Sequence, residues 1–220
     1  RYALARCGLP KDARLLEVGC GSGALLEALS ADGYTHLACA DIDLPSFSEI
    51  PGANIRTCAD GLNLPFTSGS FDACLCHFYL LWVADPLTAL REMARVTRPG
   101  GWLLALAEPD YGRRLCSPPE VARLDKALIR SLRAEGADPY TGRKLKRLMM
   151  RAGLEVDFGA HGGKWTGAQL QEEAEAEWNA LSQAVERFVD PETLERARFA
   201  WDEALADDTL VLINPMFHAI

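Results

Sequence analysis

Two hydrophobic patterns alternate along the first half of this chain. Short runs rich in apolar residues and cysteine are separated by segments in which apolar residues recur at helical spacing. The runs predict β-strands at 13–18, 36–41, 54–59, 71–81 and 101–107, and the segments between predict helices at 25–30, 86–96 and 120–135. Strands that alternate with helices favour a parallel sheet with helices on both faces. A ligand is then expected at the carboxyl ends of the strands.

The last third of the chain has a different order of elements. It predicts a helix at 142–152, a strand at 154–160, helices at 170–188 and 191–205, and a final strand at 209–218. Pro191 directly after Asp190 is typical of a capped helix start. We therefore expect a single domain over 1–220 with a helical insertion, or lid, at 162–206 before the last strand.

Composition narrows the classes of function. The 220 residues are 49% hydrophobic and carry a net charge of −8, which argues against a general nucleic-acid binder. The seven cysteines lie mostly in apolar runs and lack zinc-site spacing, so we expect reduced core thiols and no metal centre. No apolar run reaches the ~20 residues that cross a bilayer, and the first residues lack a signal-peptide pattern. We expect a cytoplasmic protein without membrane insertion; the sequence gives no indication of its oligomeric state.

The stretch Leu-Leu-Glu-Val-Gly-Cys-Gly-Ser-Gly at 15–23 has the form of a loop that binds a nucleotide-type cofactor. An apolar strand leads into Gly19, Gly21 and Gly23, and a helical pattern follows. Glycine permits sharp turns and the close approach of a ligand, and the amides at a helix start can face that ligand. Gly19, Gly21 and Ala24 also satisfy the dinucleotide pattern, so the loop alone leaves the cofactor open.

Three acidic residues add to this loop. Asp41 ends the second predicted strand 22 residues after Gly19, the distance at which a carboxylate accepts hydrogen bonds from ribose hydroxyls. Asp60 ends the third strand, where it can accept a hydrogen bond from the amino group of an adenine. Glu17 lies in an apolar run, and because an unpaired buried carboxylate is costly, we expect it to meet amides or a cation. Two apolar side chains are in position to flank an adenine ring: Ile42 and Leu62.

Four blocks of sequence, in this order, resemble the class I S-adenosylmethionine-dependent methyltransferases. They are 15–23, 41–43, 60–72 and 90–108, the last of which contains Arg98-Pro99-Gly100-Gly101. The resemblance is strongest to the small-molecule group that includes the ubiquinone and menaquinone C-methyltransferases. It implies an α/β, Rossmann-like sheet of seven strands, mostly parallel with an antiparallel C-terminal pair. It also implies S-adenosylmethionine as cofactor and S-adenosylhomocysteine as product.

The resemblance assigns cofactor contacts residue by residue. The loop holds the methionyl part of the cofactor, Asp41 its ribose and Asp60 its adenine, and Cys76 and His77 lie beside the methionyl group. The full set of implied cofactor residues is Glu17, Gly19, Gly21, Gly23, Asp41, Ile42, Asp60, Gly61, Leu62, Cys76 and His77.

The acceptor is expected to be a small molecule. Aromatic and charged residues follow the fourth and fifth strands and precede the inserted helices, where flat apolar walls suit a planar or lipophilic compound. The expected substrate contacts are Tyr79, Trp82, Glu108, Tyr111 and Trp165. The sequence names no general base; His77 is a weak candidate. The Asn-Pro-Pro-Tyr motif of many nucleic-acid methyltransferases is absent after the fourth strand, which argues against a DNA substrate.

Two other functions stay open at this point. The glycine pattern also fits an NAD(P)-dependent oxidoreductase, although the later sequence blocks give that alternative no support. A module that binds S-adenosylmethionine without turnover is the other alternative, because no catalytic base is identifiable.

Overall fold

A computed structural model of the chain describes residues 2–43, 52–165 and 168–220. The strands are β1 Arg14–Val18, β2 His36–Asp41, β3 Ile55–Cys58, β4 Phe71–Cys76, β5 Thr97–Pro109, β6 Leu115–Ser117, β7 Phe158–Trp165 and β8 Val211–Ala219. The helices are α1 Tyr2–Cys7, α2 Ala24–Ala31, α3 Pro86–Val96, α4 Pro119–Ala122, α5 Asp125–Ala134, α6 Thr141–Arg151, α7 Ala168–Val185 and α8 Pro191–Ala206. No described helix is both long enough and apolar enough to span a bilayer.

The strands form a mixed sheet in the order β3-β2-β1-β4-β5-β8-β6, with β7 paired to β8. The pairs among β1 to β5 are parallel. β6 is antiparallel to β8. Asp157 and Ile220 exchange both of their backbone hydrogen bonds at 2.9 Å, which is the pattern of an antiparallel pair beside β7 and β8. The predicted fold class, including helices inserted before the last strand, is confirmed.

The described sheet holds eight strands rather than the seven expected. The additional strand is β6, whose three residues pair with β8 in the register Leu115↔Ile213. So short a run carries no hydrophobic period of its own, and its strand conformation comes from the partner strand. Three further expectations were wrong in their bounds. The strand expected at 154–160 is β7, which begins at Phe158 and ends at Trp165. The strand expected at 71–81 ends at Cys76, and the helix expected at 120–135 is interrupted between α4 and α5.

Alternate residues of the central strands supply two apolar clusters. Leu16 and Val18 of β1 belong to one cluster, and Leu15 belongs to the other, as the period of two in a strand requires. Helix α3 packs a buried stripe onto the first cluster, which includes Leu90 and Met93. Both faces of the parallel strands are therefore covered, and the strand ends remain for binding.

The chain divides into two compact units. The first unit extends as far as Glu108 and also includes 143–159 and 217–220. The second unit comprises 109–142 and 160–216, and so contains α4, α5, α7 and α8. The ends of β1 to β4, with the residues that follow them, all lie in the first unit.

Asp72 on β4 is hydrogen-bonded to the first residues of two other strands, β1 and β5. Its Oδ2 accepts a 2.8 Å hydrogen bond from the amide of Arg14, and its Oδ1 accepts one of 2.7 Å from Nε of Arg98. Burial alone would raise the pKa of this carboxyl, but the Arg14 amide and the two guanidinium groups lower it to about 2. The ionised side chain thus bonds to the starts of β1 and β5.

We expect Asp72→Asn to lower the free energy of unfolding by about 2 kcal/mol at neutral pH. Because the folded pKa is depressed, this stabilisation is present above about pH 4 and is lost as the pH falls towards 2. Urea denaturation across this range measures the difference between the two proteins. Asp12→Asn, at an exposed aspartate, is the control. A constant difference at every pH would contradict the assignment.

Candidate cofactor site

The glycine loop is held onto the end of β2. The amide of Gly19 donates to the carbonyl of Ala40 at 2.8 Å. Gly19, Gly21 and Gly23 all have positive φ, a conformation that other residues adopt only with strain. Helix α2 then begins at Ala24, directly after the loop. The sequence predicted this strand, loop and helix correctly.

Asp41 lies against the same loop. Its Oδ2 accepts a hydrogen bond of 2.8 Å from the amide of Gly21, and its Oδ1 accepts one of 3.0 Å from the amide of Asp43. The side chain is half-buried at the carboxyl end of β2. The carboxylate is therefore fixed in orientation beside the glycine loop.

Asp60 and Gly61 form a turn after β3. Oδ1 of Asp60 accepts from the amide of Leu62 at 2.9 Å, and the Asp60 carbonyl accepts from the amide of Asn63 at 2.9 Å. The Asp60 side chain is exposed, whereas Gly61 is buried. A Cβ on Gly61 would lie 3.0 Å from Cγ1 of Val18, which ends β1. The turn therefore packs directly on the strand that leads into the glycine loop.

Tyr79 contacts both loops. A Cβ on Gly19 would clash with the Tyr79 ring, with Cγ at 2.8 Å, and a Cβ on Gly61 would clash with the Tyr79 hydroxyl. The ring therefore lies across the space between the loops after β1 and β3. Burial raises the pKa of the Tyr79 hydroxyl, so this group stays neutral.

These residues surround a cavity of ≈500 Å³ in the first unit. Its volume lies within the range of about 300–1,000 Å³ that is typical of small-molecule sites. Of the predicted residues, those that line it are Gly19, Gly21, Asp41, Ile42, Asp60, Gly61, Leu62, Tyr79 and Trp82. Charge at the described wall comes from Asp41 and Asp60 alone, both acidic. This wall suits a cationic ligand better than the pyrophosphate of a dinucleotide.

Glu17 is the buried acid of this region. It is 2% exposed, and its Oε2 has no hydrogen-bond partner among the described residues. Burial, followed by the neighbouring Cys39 and Asp41, raises the pKa of its carboxyl to about 8. A buried oxygen without a donor, one residue before the strand end, is a place where a ligand cation would be stabilised. The residues present therefore fit a cofactor that carries positive charge.

Four of the residues implied as cofactor contacts do not line the cavity: Glu17, Gly23, Cys76 and His77. Cys76 is fully buried, and burial, with the charge of Glu108, raises the pKa of its thiol. His77 is exposed, with its ring centroid 5.0 Å from that of Phe78. The structure thus places His77 outside the cavity, and its suggested role as a base stays a prediction.

The residues expected to contact the acceptor are separated. Tyr79 and Trp82 line the cavity, but Glu108 is 0% exposed and accepts hydrogen bonds from backbone amides. This burial does not support the expected substrate contact at Glu108. Tyr111 belongs to the second unit, where its amide donates to Pro139. Trp165 ends β7, and its side chain lies outside the described residues.

Sequence reasoning missed several apolar residues that line the cavity. Some lie at or next to the ends of β1, β2 and β3, and the others lie between β4 and α3. The missed residues are Val18, Ala40, Ala59, Val83 and Ala84. Their signal was their position at the carboxyl ends of predicted strands, although a core role predicts the same residue types. Among the described residues, no group of three or more His, Cys, Asp or Glu side chains could hold a metal ion.

Comparison with known proteins agrees with this geometry. Residues 16–105 match the family model of a methyltransferase domain. The demethylmenaquinone methyltransferase of Mycobacterium sp. strain KMS is 31% identical over 159 residues, which cover 70% of this chain and 69% of that protein. The corresponding enzyme of Corynebacterium urealyticum is 39% identical over 108 residues, but these cover 47% of this chain and only 44% of the relative.

Solved structures support the same fold. A protein from Anabaena variabilis described as a methyltransferase of an antibiotic biosynthesis pathway aligns with a TM-score of 0.69 at 15% identity, covering 99% of this chain and 94% of that one. A phosphoethanolamine methyltransferase of Haemonchus contortus, solved with S-adenosylhomocysteine, gives 0.58 at 15% identity over 100% of this chain and 52% of that one. With its glycine loop, acidic cavity and sequence relatives, this chain belongs to the class I S-adenosylmethionine-dependent methyltransferases.

Proposed function

We propose that this protein transfers the methyl group of S-adenosylmethionine to a planar, lipophilic small molecule. The observation that carries the proposal is the composition of one cavity, which is lined by Asp41 and the glycine loop together with Tyr79 and Trp82. Acidic groups suit the charged cofactor, and flat apolar side chains suit a planar acceptor. Trp82 is 47% exposed and so offers its ring to a second ligand.

The cofactor would be held by groups already oriented at the strand ends. Asp41 would accept from the ribose hydroxyls, and Asp60 would accept from the adenine amino group. The loop amides would meet the methionyl end, and Glu17, which is buried near Asp41 without lining the cavity, would act on it through its charge. When bound, S-adenosylmethionine supplies an electrophilic methyl group, whose bond to sulfur breaks as an electron pair of the acceptor forms the new bond. The chain itself mainly positions the reactants, an effect worth about 7 to 11 kcal/mol in favourable cases.

The described wall of the cavity offers no evident general base, which favours an acceptor that does not need the protein to remove its proton. The Tyr79 hydroxyl is held neutral by burial, and Asp41 and Asp60 already accept hydrogen bonds from backbone amides. A strong base is needed only for an acceptor that must lose a proton in the reaction. Quinols and phenols are planar, and one that has first lost its hydroxyl proton to solvent attacks as the anion, so that the methyl transfer itself needs no base in the cavity. The names of the relatives, demethylmenaquinone methyltransferases, make naphthoquinols the first acceptors to test.

The proposal is tested by binding and transfer together. Calorimetry with S-adenosylhomocysteine measures cofactor binding, and transfer of a radiolabelled methyl group is then followed to a naphthoquinol, a simple amine and a carboxylate. We expect the naphthoquinol to be methylated at least about tenfold faster than the other two. Preference for the amine or the carboxylate would contradict a planar acceptor. Failure to bind either S-adenosylhomocysteine or S-adenosylmethionine would contradict the cofactor site.

Asp41→Ala should weaken binding of S-adenosylhomocysteine by at least about 10- to 100-fold, because even one charge-assisted hydrogen bond is worth about 1.5–3 kcal/mol. The variant also loses the bond to Gly21, so the loop becomes less ordered. Asp43→Ala is the matched control, since Asp43 is the next acid along the chain and does not line the cavity. Equal dissociation constants for the two variants would place the ribose elsewhere.

Glu17→Gln should separate stability from binding. The folded pKa of about 8 lies above the ordinary 4.5, so the free-energy penalty of ionising Glu17 grows as the pH rises and is complete above pH 8. We expect the variant to be more stable than the parent by about 1–3 kcal/mol near pH 9 and equally stable near pH 5. Its affinity for S-adenosylmethionine should fall about tenfold or more. Urea denaturation and calorimetry give the two values, and unchanged affinity would remove Glu17 from the site.

Trp82→Ala should raise KM for the aromatic acceptor about tenfold, because an aromatic contact in a cavity contributes about 1 kcal/mol or more. Binding of S-adenosylhomocysteine should change less than about twofold. Trp102→Ala serves as the control, since Trp102 is 38% exposed on β5 and does not line the cavity. A loss confined to cofactor affinity would assign Trp82 to the cofactor rather than to the acceptor.

A further inference from the structure

Glu108 is a buried carboxylate that the proposed reaction does not use. It lies near the end of β5 and is 0% exposed. Oε1 accepts hydrogen bonds from the amides of Tyr79 at 3.1 Å and Leu80 at 2.9 Å, and Oε2 accepts one from Leu81 at 3.2 Å. Successive amides that converge on one carboxylate form an anion-binding nest. The negative charge of Glu108 is thus balanced by backbone dipoles.

These bonds determine the path of residues 77–82, which we call the aromatic segment. The amide of Phe78 donates to the carbonyl of Ala107 at 3.1 Å, so four consecutive amides are fastened to the end of β5. Phe78 has a φ of +52°, a left-handed conformation that is strained for a bulky aromatic residue. Such a conformation persists only where the surrounding bonds impose it. The aromatic segment is therefore held in shape from β5.

The aromatic segment in turn positions the Tyr79 ring. The side chains of Leu80 and Leu81 are buried, at 0% and 1% exposure, and so fix the backbone just after Tyr79. The ring projects over Gly19 and Gly61, where it occupies the space that a Cβ at either position would need. A displacement of the Tyr79 backbone would therefore move the ring against both cofactor loops.

We propose that Glu108 is a positioning residue for cofactor binding, which acts through the backbone of the aromatic segment to hold the Tyr79 ring between the glycine loop and the Asp60 turn. This inference rests on the proposed function, since it assigns the same cavity to the cofactor. It replaces the contact with acceptor that the sequence indicated for Glu108. The carboxylate shapes the cavity without touching its contents.

The nest has a consequence for pH dependence. Burial raises the pKa of Glu108 to about 7, although the three amide bonds oppose this shift. Cys76 on β4 faces the carboxyl, and burial raises the pKa of that thiol, so it stays neutral near pH 7. Protonation of Glu108 places a hydrogen on one carboxyl oxygen. This hydrogen repels the amide hydrogens that point at the carboxyl group, and the hydrogen bonds of the nest become weaker. Cofactor affinity should therefore fall as the pH drops through about 7.

The experiment compares the parent with Glu108→Gln between about pH 6 and pH 8. We expect the variant to bind S-adenosylhomocysteine about tenfold more weakly at the higher pH and to lose the part of the pH dependence that is centred near 7. Asp110→Asn is the matched control, because Asp110 is also buried, at 1% exposure, and bonds to the amide of Gly112. Equal pH profiles for the parent and Glu108→Gln would overturn the proposal.

A double-mutant cycle tests the route through Tyr79. If Glu108 acts through the ring, the losses of affinity in Glu108→Gln and Tyr79→Ala will not add, and the double variant will bind about as weakly as the weaker single variant. Additive losses would overturn the proposed route.

A measurement without cofactor separates this inference from the proposed function. Trp82 lies in the aromatic segment and reports on it by fluorescence. Its fluorescence emission is obtained by subtracting the spectrum of Trp82→Phe from that of the parent. We expect this emission to titrate near pH 7 in the parent and not in the Glu108→Gln background. If the emission titrates near pH 7 but the protein does not bind S-adenosylhomocysteine, the nest is supported and the proposed cofactor site is refuted. Emission that is independent of pH would overturn the nest even if Glu108→Gln fails to fold.

Discussion

The site depends on the contact of one aromatic ring with two glycines. Tyr79 lies against Gly19 after β1 and against Gly61 after β3, so the loops that follow three strands are in van der Waals contact at one place. The order of the strands allows this contact, because β1 is the direct neighbour of β4 and only β2 separates it from β3. Side chains at positions 19 or 61 would force the ring away. The absence of a Cβ at these two positions is therefore a packing requirement within the protein itself.

Much of the first unit was predictable from sequence. The strands alternate their side chains between two apolar clusters, and this period of two is visible as runs of apolar residues. The helix predicted at 86–96 is α3, and the structure shows that it is capped by Asp85, whose Oδ1 accepts a hydrogen bond from the amide of Thr88. Local signals of this kind state where an element begins and which face it buries. The positions of Asp41 and Asp60 followed from the strand ends in the same way.

The remainder could not be predicted because it depends on contacts between residues distant in sequence. The apolar run after Phe71 continues to Leu81, yet the strand stops at Cys76, and the amides of residues 79–81 bond instead to Glu108, nearly 30 residues later. From its charge and its position before Pro109, Glu108 was expected to be exposed and to contact the acceptor. The nest around Glu108 is formed by backbone amides, and because every residue except proline has an amide hydrogen, the sequence does not reveal it. The three residues of β6 are a second example, since their pairing is set by β8.

The hydrogen bonds of Asp41 bear on how a diol would bind at the proposed site. Both carboxylate oxygens already accept an amide hydrogen, from Gly21 and from Asp43, and each oxygen has a second lone pair for a further donor. A diol can therefore bind without displacing either amide, and the loop does not need to rearrange around it. The entropy of ordering this carboxylate is lost when the protein folds rather than at each encounter with ligand. Association at this end of the cavity should then be limited by diffusion and desolvation rather than by a conformational step.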